Sequence, residues 1–143
     1  MSANYKNLMK FSDQLEQLNS VQKDQFIEAC CKELAARLLA KVIKRTPSTS
    51  GTLRRGWTAG QNQNAVAYVN SLKVSQVGDK YHIDIINPVE YASYVEYGHR
   101  TRDHQGWVNG KFMLTISEQE IRNMSDAILQ KKLNKFMKEV FDV

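Results

Sequence analysis

The sequence predicts an α+β fold: a small antiparallel β-sheet packed against a long N-terminal helix, with a short tyrosine-rich helix and a C-terminal helix. Three observations predict it. Apolar residues recur at three-and-four spacing over residues 21–45, the period changes to two over 66–86, and helical spacing returns beyond residue 117. A chain of 143 residues is one domain's worth by the usual prior of roughly 150 residues, so a single domain over 1–143 is expected.

Taken in order, Leu8, Phe11, Leu15 and Leu18 lie at helical spacing and predict a short amphipathic helix over 5–18. Asn19 and Ser20 offer a break and a new N-cap. Phe26, Ile27, Cys30, Leu34, Leu38, Val42 and Ile43 then mark the apolar stripe of the longest helix, with the helix formers Ala35, Ala36 and Leu39 between them. Thr46-Pro47 closes it, because proline disfavours helical geometry in the residue before it. Residues 48–51 read as a loop.

Val66, Tyr68, Asn70, Leu72, Val74 and Gln76 step by two. After the turn signal Gly78-Asp79, Tyr81, Ile83 and Ile85 do the same, which predicts an antiparallel hairpin. Asn87-Pro88 ends the second strand, and VEYASYVEYG restores helical spacing with Gly98 as its C-cap. Residues 99–110 are polar and glycine-punctuated, hence a loop. Ser117-Glu118-Gln119-Glu120 has the form of a capping box, so the last helix is expected from about Glu118 to Val140.

Charge narrows the function classes. Lys and Arg number 20 against 15 Asp and Glu, a net charge of +5. Residues 19–57 hold eight bases and three acids, and Arg37, Lys41, Lys44, Arg45, Arg54 and Arg55 follow one another without an acid. That run implies an acidic partner or a nucleic acid. Lys41, Lys44 and Arg45 also suit the negative end of a helix dipole and then need no partner. No stretch approaches the roughly 18 apolar residues of a membrane span, and the N-terminus lacks the apolar core of a signal peptide. Adjacent Cys30 and Cys31 staple no distant elements, and reduced, cytosolic conditions fit.

Reactive groups do not converge. Glu96, His99, Asp103 and His104 are close in sequence, but no cysteine lies near and the spacing is not that of a zinc site; no metal and no cofactor is expected. Neither a nucleophile elbow nor a glycine-rich phosphate cradle occurs. Glu90 and Glu96 fall on different faces of a short helix and form no acid–base pair. An enzyme is therefore not expected. A hydrolase would need His99, Asp103 and His104 to meet within hydrogen-bond reach. Tyr91, Tyr94, Tyr97 and Trp107, near Arg100 and Arg102, could stack nucleic-acid bases. The simpler expectation is that the tyrosine rings pack on a sheet and that Trp57 and Trp107 anchor loops to the core.

The order of segments carries more than any one of them. Thr46-Pro47-x-x-Ser50-Gly51-x-Leu53-Arg54-x-x-Trp57 is followed by the hairpin, by Asn87-Pro88-Val89-Glu90-Tyr91-Ala92-x-x-Val95-Glu96-Tyr97-Gly98, and by Gly106-Trp107-Val108-x-Gly110-x-Phe112-Met113. Over residues 20–125 this resembles the tail-completion family of tailed bacteriophages, small head–tail joining proteins often labelled minor tail components. Ser50 departs from the family's usual Thr-Gly after the proline and leaves the turn chemistry intact. The resemblance implies an α+β fold without catalytic activity and a ring, commonly a hexamer, at the neck of the virion. That ring would join a head-completion or connector protein to the tail tube or tail terminator protein, with DNA passing through the lumen without sequence recognition.

Localisation in the virion, after assembly in the host cytoplasm, follows from the same resemblance. The expected subunit or partner interface comprises Arg54, Arg55, Trp57, Glu90, Tyr91, Tyr94, Glu96, Tyr97, Arg100 and Trp107. Lys41 or Arg100 would face DNA. Physically, Pro47 stops the helix, Gly51 permits a left-handed turn, and Arg54 and Arg55 point outward to meet Glu90 or Glu96 of the next subunit. Residues 99–110 and the N-terminal helix are expected to move most on assembly. The alternative is a small basic nucleic-acid-binding module, supported by an isoelectric point near 9.2.

Overall fold

A computed structural model describes residues 3–47, 51–61 and 63–141, with no side-chain description for 3–8. The expected loop positions 48–50, Ser50 among them, and the side chain of Leu8 therefore lie outside the described residues. The order is α1 (Ala3–Glu16), α2 (Ser20–Arg45), α3 (Thr52–Gly56), α4 (Ala65–Asn70), β1 (Ser75–Val77), β2 (Lys80–His82), α5 (Ala92–Tyr97), β3 (Gly98–Arg100), β4 (Trp107–Asn109) and α6 (Met113–Phe141). This is the α+β class the sequence predicts.

Helices α2 and α6 form the scaffold and run antiparallel, since Phe26 meets Phe136 at one end and Arg45 meets Glu120 at the other. Asn19 caps α2 through a reciprocal box with Gln22: the Asn19 side chain accepts from the Gln22 N–H and the Gln22 side chain from the Asn19 N–H. Thr46 ends the helix in extended geometry, as a residue before proline must.

Two apolar clusters line the scaffold. Leu18, Phe26, Cys30 and Leu133 close one end, with Phe11, Leu15 and Phe136 packed around them. At the other end Ala35, Ala36, Leu39, Val42, Leu53, Trp57, Val69 and Met113 are buried, and Ile83, Ile85, Val89 and Val95 lean on them.

Three expected elements change. Residues 65–70 are helical, not a strand: Asn64 caps the segment through the Ala67 N–H, and Ala65, Tyr68, Val69 and Leu72 turn inward at three-and-four spacing. Burial of that second pattern against α2 outweighs the alternation. Residues 99–110 are not a loop throughout, because β3 and β4 pair antiparallel with His99 opposite Val108. Glycine makes this hairpin possible. A Cβ on Gly98 would lie 2.6 Å from the Val108 carbonyl oxygen, and one on Gly110 2.4 Å from that of Glu96.

The last helix starts at Met113, and the Ser117-to-Glu120 pattern does not cap it. Ser117 is fully buried inside the helix, where its hydroxyl donates to the Met113 carbonyl and accepts from Arg45. The β-structure is thus two separate two-stranded sheets, β1–β2 and β3–β4, with three-residue strands.

Candidate subunit interface

The turn after α2 is built around Thr46. Its hydroxyl donates to the Val42 carbonyl at 2.6 Å and accepts from the Trp57 indole N–H at 2.8 Å. Its carbonyl accepts twice from Arg54, at 3.2 and 2.9 Å. Gly51 takes the left-handed conformation (φ 71°) at the start of α3, as that turn requires. Arg54 therefore folds back onto α2 instead of pointing outward, and Trp57 is buried within the subunit, where it ties this turn to the core. Arg55 alone of the pair is exposed.

The basic run is largely answered from within the chain. Arg37 pairs with Glu33, and Lys41 and Arg45 both pair with Glu120, Arg45 through two short bonds. The hydrogen bond from Arg45 holds the Glu120 carboxyl below its ordinary range. Lys41 thus has an acidic partner inside the subunit, and the positive field inferred from the sequence shrinks to Lys44, Arg55 and the outer part of Arg54.

The acidic side changes as well. Glu90 is exposed, but Glu96 is 5% exposed and not on a rim. Its carboxylate accepts from the backbone N–H groups of Leu114 and Thr115, at 2.8 and 3.0 Å, and from the Thr115 hydroxyl at 2.7 Å. It caps α6 from outside, supplying an acceptor and a negative charge where the helix has orphan donors and a positive dipole end. Backbone bonds from Lys111 to Val95 and from Phe112 to Glu96 lock the same junction and hold Phe112 at a left-handed φ of 48°.

Around this fixed point the rings face outward. Tyr94 is 59% exposed, Tyr97 62% and Trp107 59%, with Tyr91, Val108 and Phe112 beside them. Neither the packing of the tyrosines on a sheet nor the anchoring of Trp107 to the core occurs. Tyr94 lies 5.8 Å from His99 with the rings tilted, and Tyr97 meets Phe112 edge-on at 6.4 Å. Scattered exposed apolar residues are ordinary, but neighbouring ones on one helix and one hairpin form a patch of the kind that marks a contact surface. Arg100 is exposed at its border.

Of the side chains weighed for chemistry, Asp103 and His99 are engaged locally. Asp103 accepts from the Thr101 hydroxyl and the Gln105 N–H, bonds that lower its pKa, and His99 Nδ1 contacts the Arg100 carbonyl. Among the described residues no group of histidine, cysteine and carboxylate side chains could hold a metal ion. Burial pushes the Cys30 thiol up to about 12, which leaves it a packing residue. No helix among the described residues is long and apolar enough to cross a membrane.

Sequence reasoning missed the cap by Glu96, the clamp on Glu120 and the exposed ring of Phe112. Each depends on residues far apart in the chain. The one local signal was Gly98 and Gly110 bracketing the hairpin.

What the fold and this patch define is a small α+β protein with an exposed aromatic surface on α5 and the β3–β4 hairpin. Residues 9–98 match the family model described as "Bacteriophage HK97-gp10, putative tail-component". The chain belongs to this family of phage tail components. No curated protein and no solved structure matches it.

Proposed function

We propose that this tail component is a structural joining protein of the phage neck. A single domain over 1–143 assembles, commonly as a hexamer, into a ring between a head-completion or connector protein and the tail tube or tail terminator. It is built into the virion after assembly in the host cytoplasm, without cofactor or catalysis. The observation that carries this reading is the exposed aromatic surface of α5 and the β3–β4 hairpin, in a chain of the tail-component family.

The interface consists of Arg55, Glu90, Tyr91, Tyr94, Tyr97, Arg100 and Trp107. Arg54, Trp57 and Glu96 serve it from inside, by fixing the segments that present it. With Lys41 held by Glu120, Arg100 is the remaining candidate to face passing DNA. Few free cations suit a lumen that must release the duplex, because each phosphate contact adds sequence-independent affinity.

Deleting the reading frame from its parent genome tests the proposal by electron microscopy of the lysate. Filled heads lying beside complete, separate tails are expected; normal particles would contradict it. Salt-sensitive DNA binding by the isolated subunit would point instead to the nucleic-acid-binding module.

A further inference from the structure

The strand pattern outlasts the sheet. Beyond β2, which ends at His82, the burial alternation continues through residue 86, with Tyr81, Ile83 and Ile85 half-buried and His82, Asp84 and Ile86 exposed. The two-residue turn Gly78-Asp79 makes Val77–Lys80 a hydrogen-bonded pair, so Lys80 and His82 direct their backbone groups at β1. Tyr81, the non-hydrogen-bonded position between them, then directs its own at the opposite edge, and Ile83 and Ile85 follow it in the same alternation of burial. Among the described residues, none of those N–H and C=O groups has a hydrogen-bond partner within the subunit.

Along that same edge runs a groove of about 280 Å³. It is lined by Leu34 and Leu38 of α2, by Ile83 and Ile85, and by Glu118 and Ile121 of α6. An open strand edge beside an apolar groove is the arrangement that accepts an added strand, with main-chain bonds supplying affinity and alternate side chains filling the groove.

The molecule also carries a strand of the right kind. All three residues of β4 are exposed, with Trp107 at its start, and among the described residues the backbone bonds that join the hairpin to α5 lie at its base. Charge favours the pairing. Residues 98–112 carry Arg100, Arg102 and Lys111 against Asp103 alone, whereas residues 81–90 carry Asp84 and Glu90 and no Lys or Arg.

We infer that the β2 edge of one subunit receives the β3–β4 hairpin of a second copy as an added strand, with Trp107 entering the groove between α2 and α6. This rests on the ring reading and names its socket. The contact is heterologous, so repetition around an axis closes a ring and leaves no free edge.

The test uses particles in which the frame deletion has already given separated heads and tails, so failure of the joining role is seen beforehand. The deletion is complemented with D84C, V108C or the double variant, both at exposed positions and each in a Cys31→Ser background because Cys31 is a free thiol lining the groove, and purified particles are treated with a short bismaleimide. The double variant is expected to give a ladder of chain-to-chain products, and each single variant no ladder. Trp107→Ala is expected to cut joined particles at least tenfold while leaving the isolated subunit's Tm unchanged. No ladder, a product linking the chain only to a different protein, or full joining by W107A would overturn the inference while leaving the joining role standing.

Discussion

At one end of the α2–α6 pair, Arg45, Thr46, Trp57, Glu96 and Glu120 hold helix termini and turns through directional bonds. At the other end Phe26 lies between Phe11 and Phe136 at 6.1 and 5.4 Å, over buried Leu133. Among the described residues, the side-chain hydrogen bonds that join helices there are uncharged amide bonds among Gln14, Gln130 and Asn134. The difference teaches where geometry matters. Apolar packing fixes that helices meet but tolerates repacking, whereas a buried hydrogen-bonded group fixes one arrangement and costs stability if its partner goes. The directional end is also the end that presents the tyrosines, and Glu96 stands between Tyr94 and Tyr97 in sequence while its carboxylate grips α6.

Substitutions sharpen that comparison. Trp57→Ala should produce the largest loss, about 4 kcal/mol by denaturant unfolding, because it empties core volume and removes the donor to Thr46. Glu96→Ala should cost about 2 kcal/mol by orphaning the Leu114 and Thr115 donors. It should also loosen the hairpin, seen as faster amide exchange at Val108 and Phe112. At the apolar end, Phe26→Leu should cost only about 1 kcal/mol, since neighbours there can close in. A larger loss for F26L than for E96A would break the comparison.

The smallest effect is a matter of pH. Glu120's folded-state pKa is depressed, chiefly by the bond from Arg45, so its contribution is complete above the ordinary carboxylate range and vanishes as pH falls through the lowered value. The Tm difference between wild type and Glu120→Gln should therefore be present at pH 7 and shrink below about pH 4. Tyr81 acts in the opposite direction: its hydrogen bond to Asp24 raises its pKa, and that stabilisation is lost only as pH climbs through the raised value.

How much of this was legible in the sequence depends on the range of the interaction. Helix α2, its Asn19 start and its Thr46-Pro47 stop are set by neighbours in the chain, and they stand where spacing and capping place them. The 65–70 segment carries both an alternating and a helical pattern, and only packing on α2 decides between them. Ser117 to Glu120 has the form of a cap, yet the true cap comes from Glu96, 18 residues before Leu114. The same range hid the fate of the charges. A run of cations reads as a surface until Glu120 folds onto it, and an acidic residue on a tyrosine-rich helix reads as exposed until a second helix begins over it.

The central claim is that the chain works through the outward rings of α5 and its hairpin. It is tested most directly by Tyr94→Ser with Tyr97→Ser, scored by the fraction of heads joined to tails after complementation of the frame deletion. Both side chains are largely exposed, so the isolated subunit should keep its Tm within about 2 °C while joining falls at least tenfold. Joining at the wild-type level by that folded variant would contradict the account.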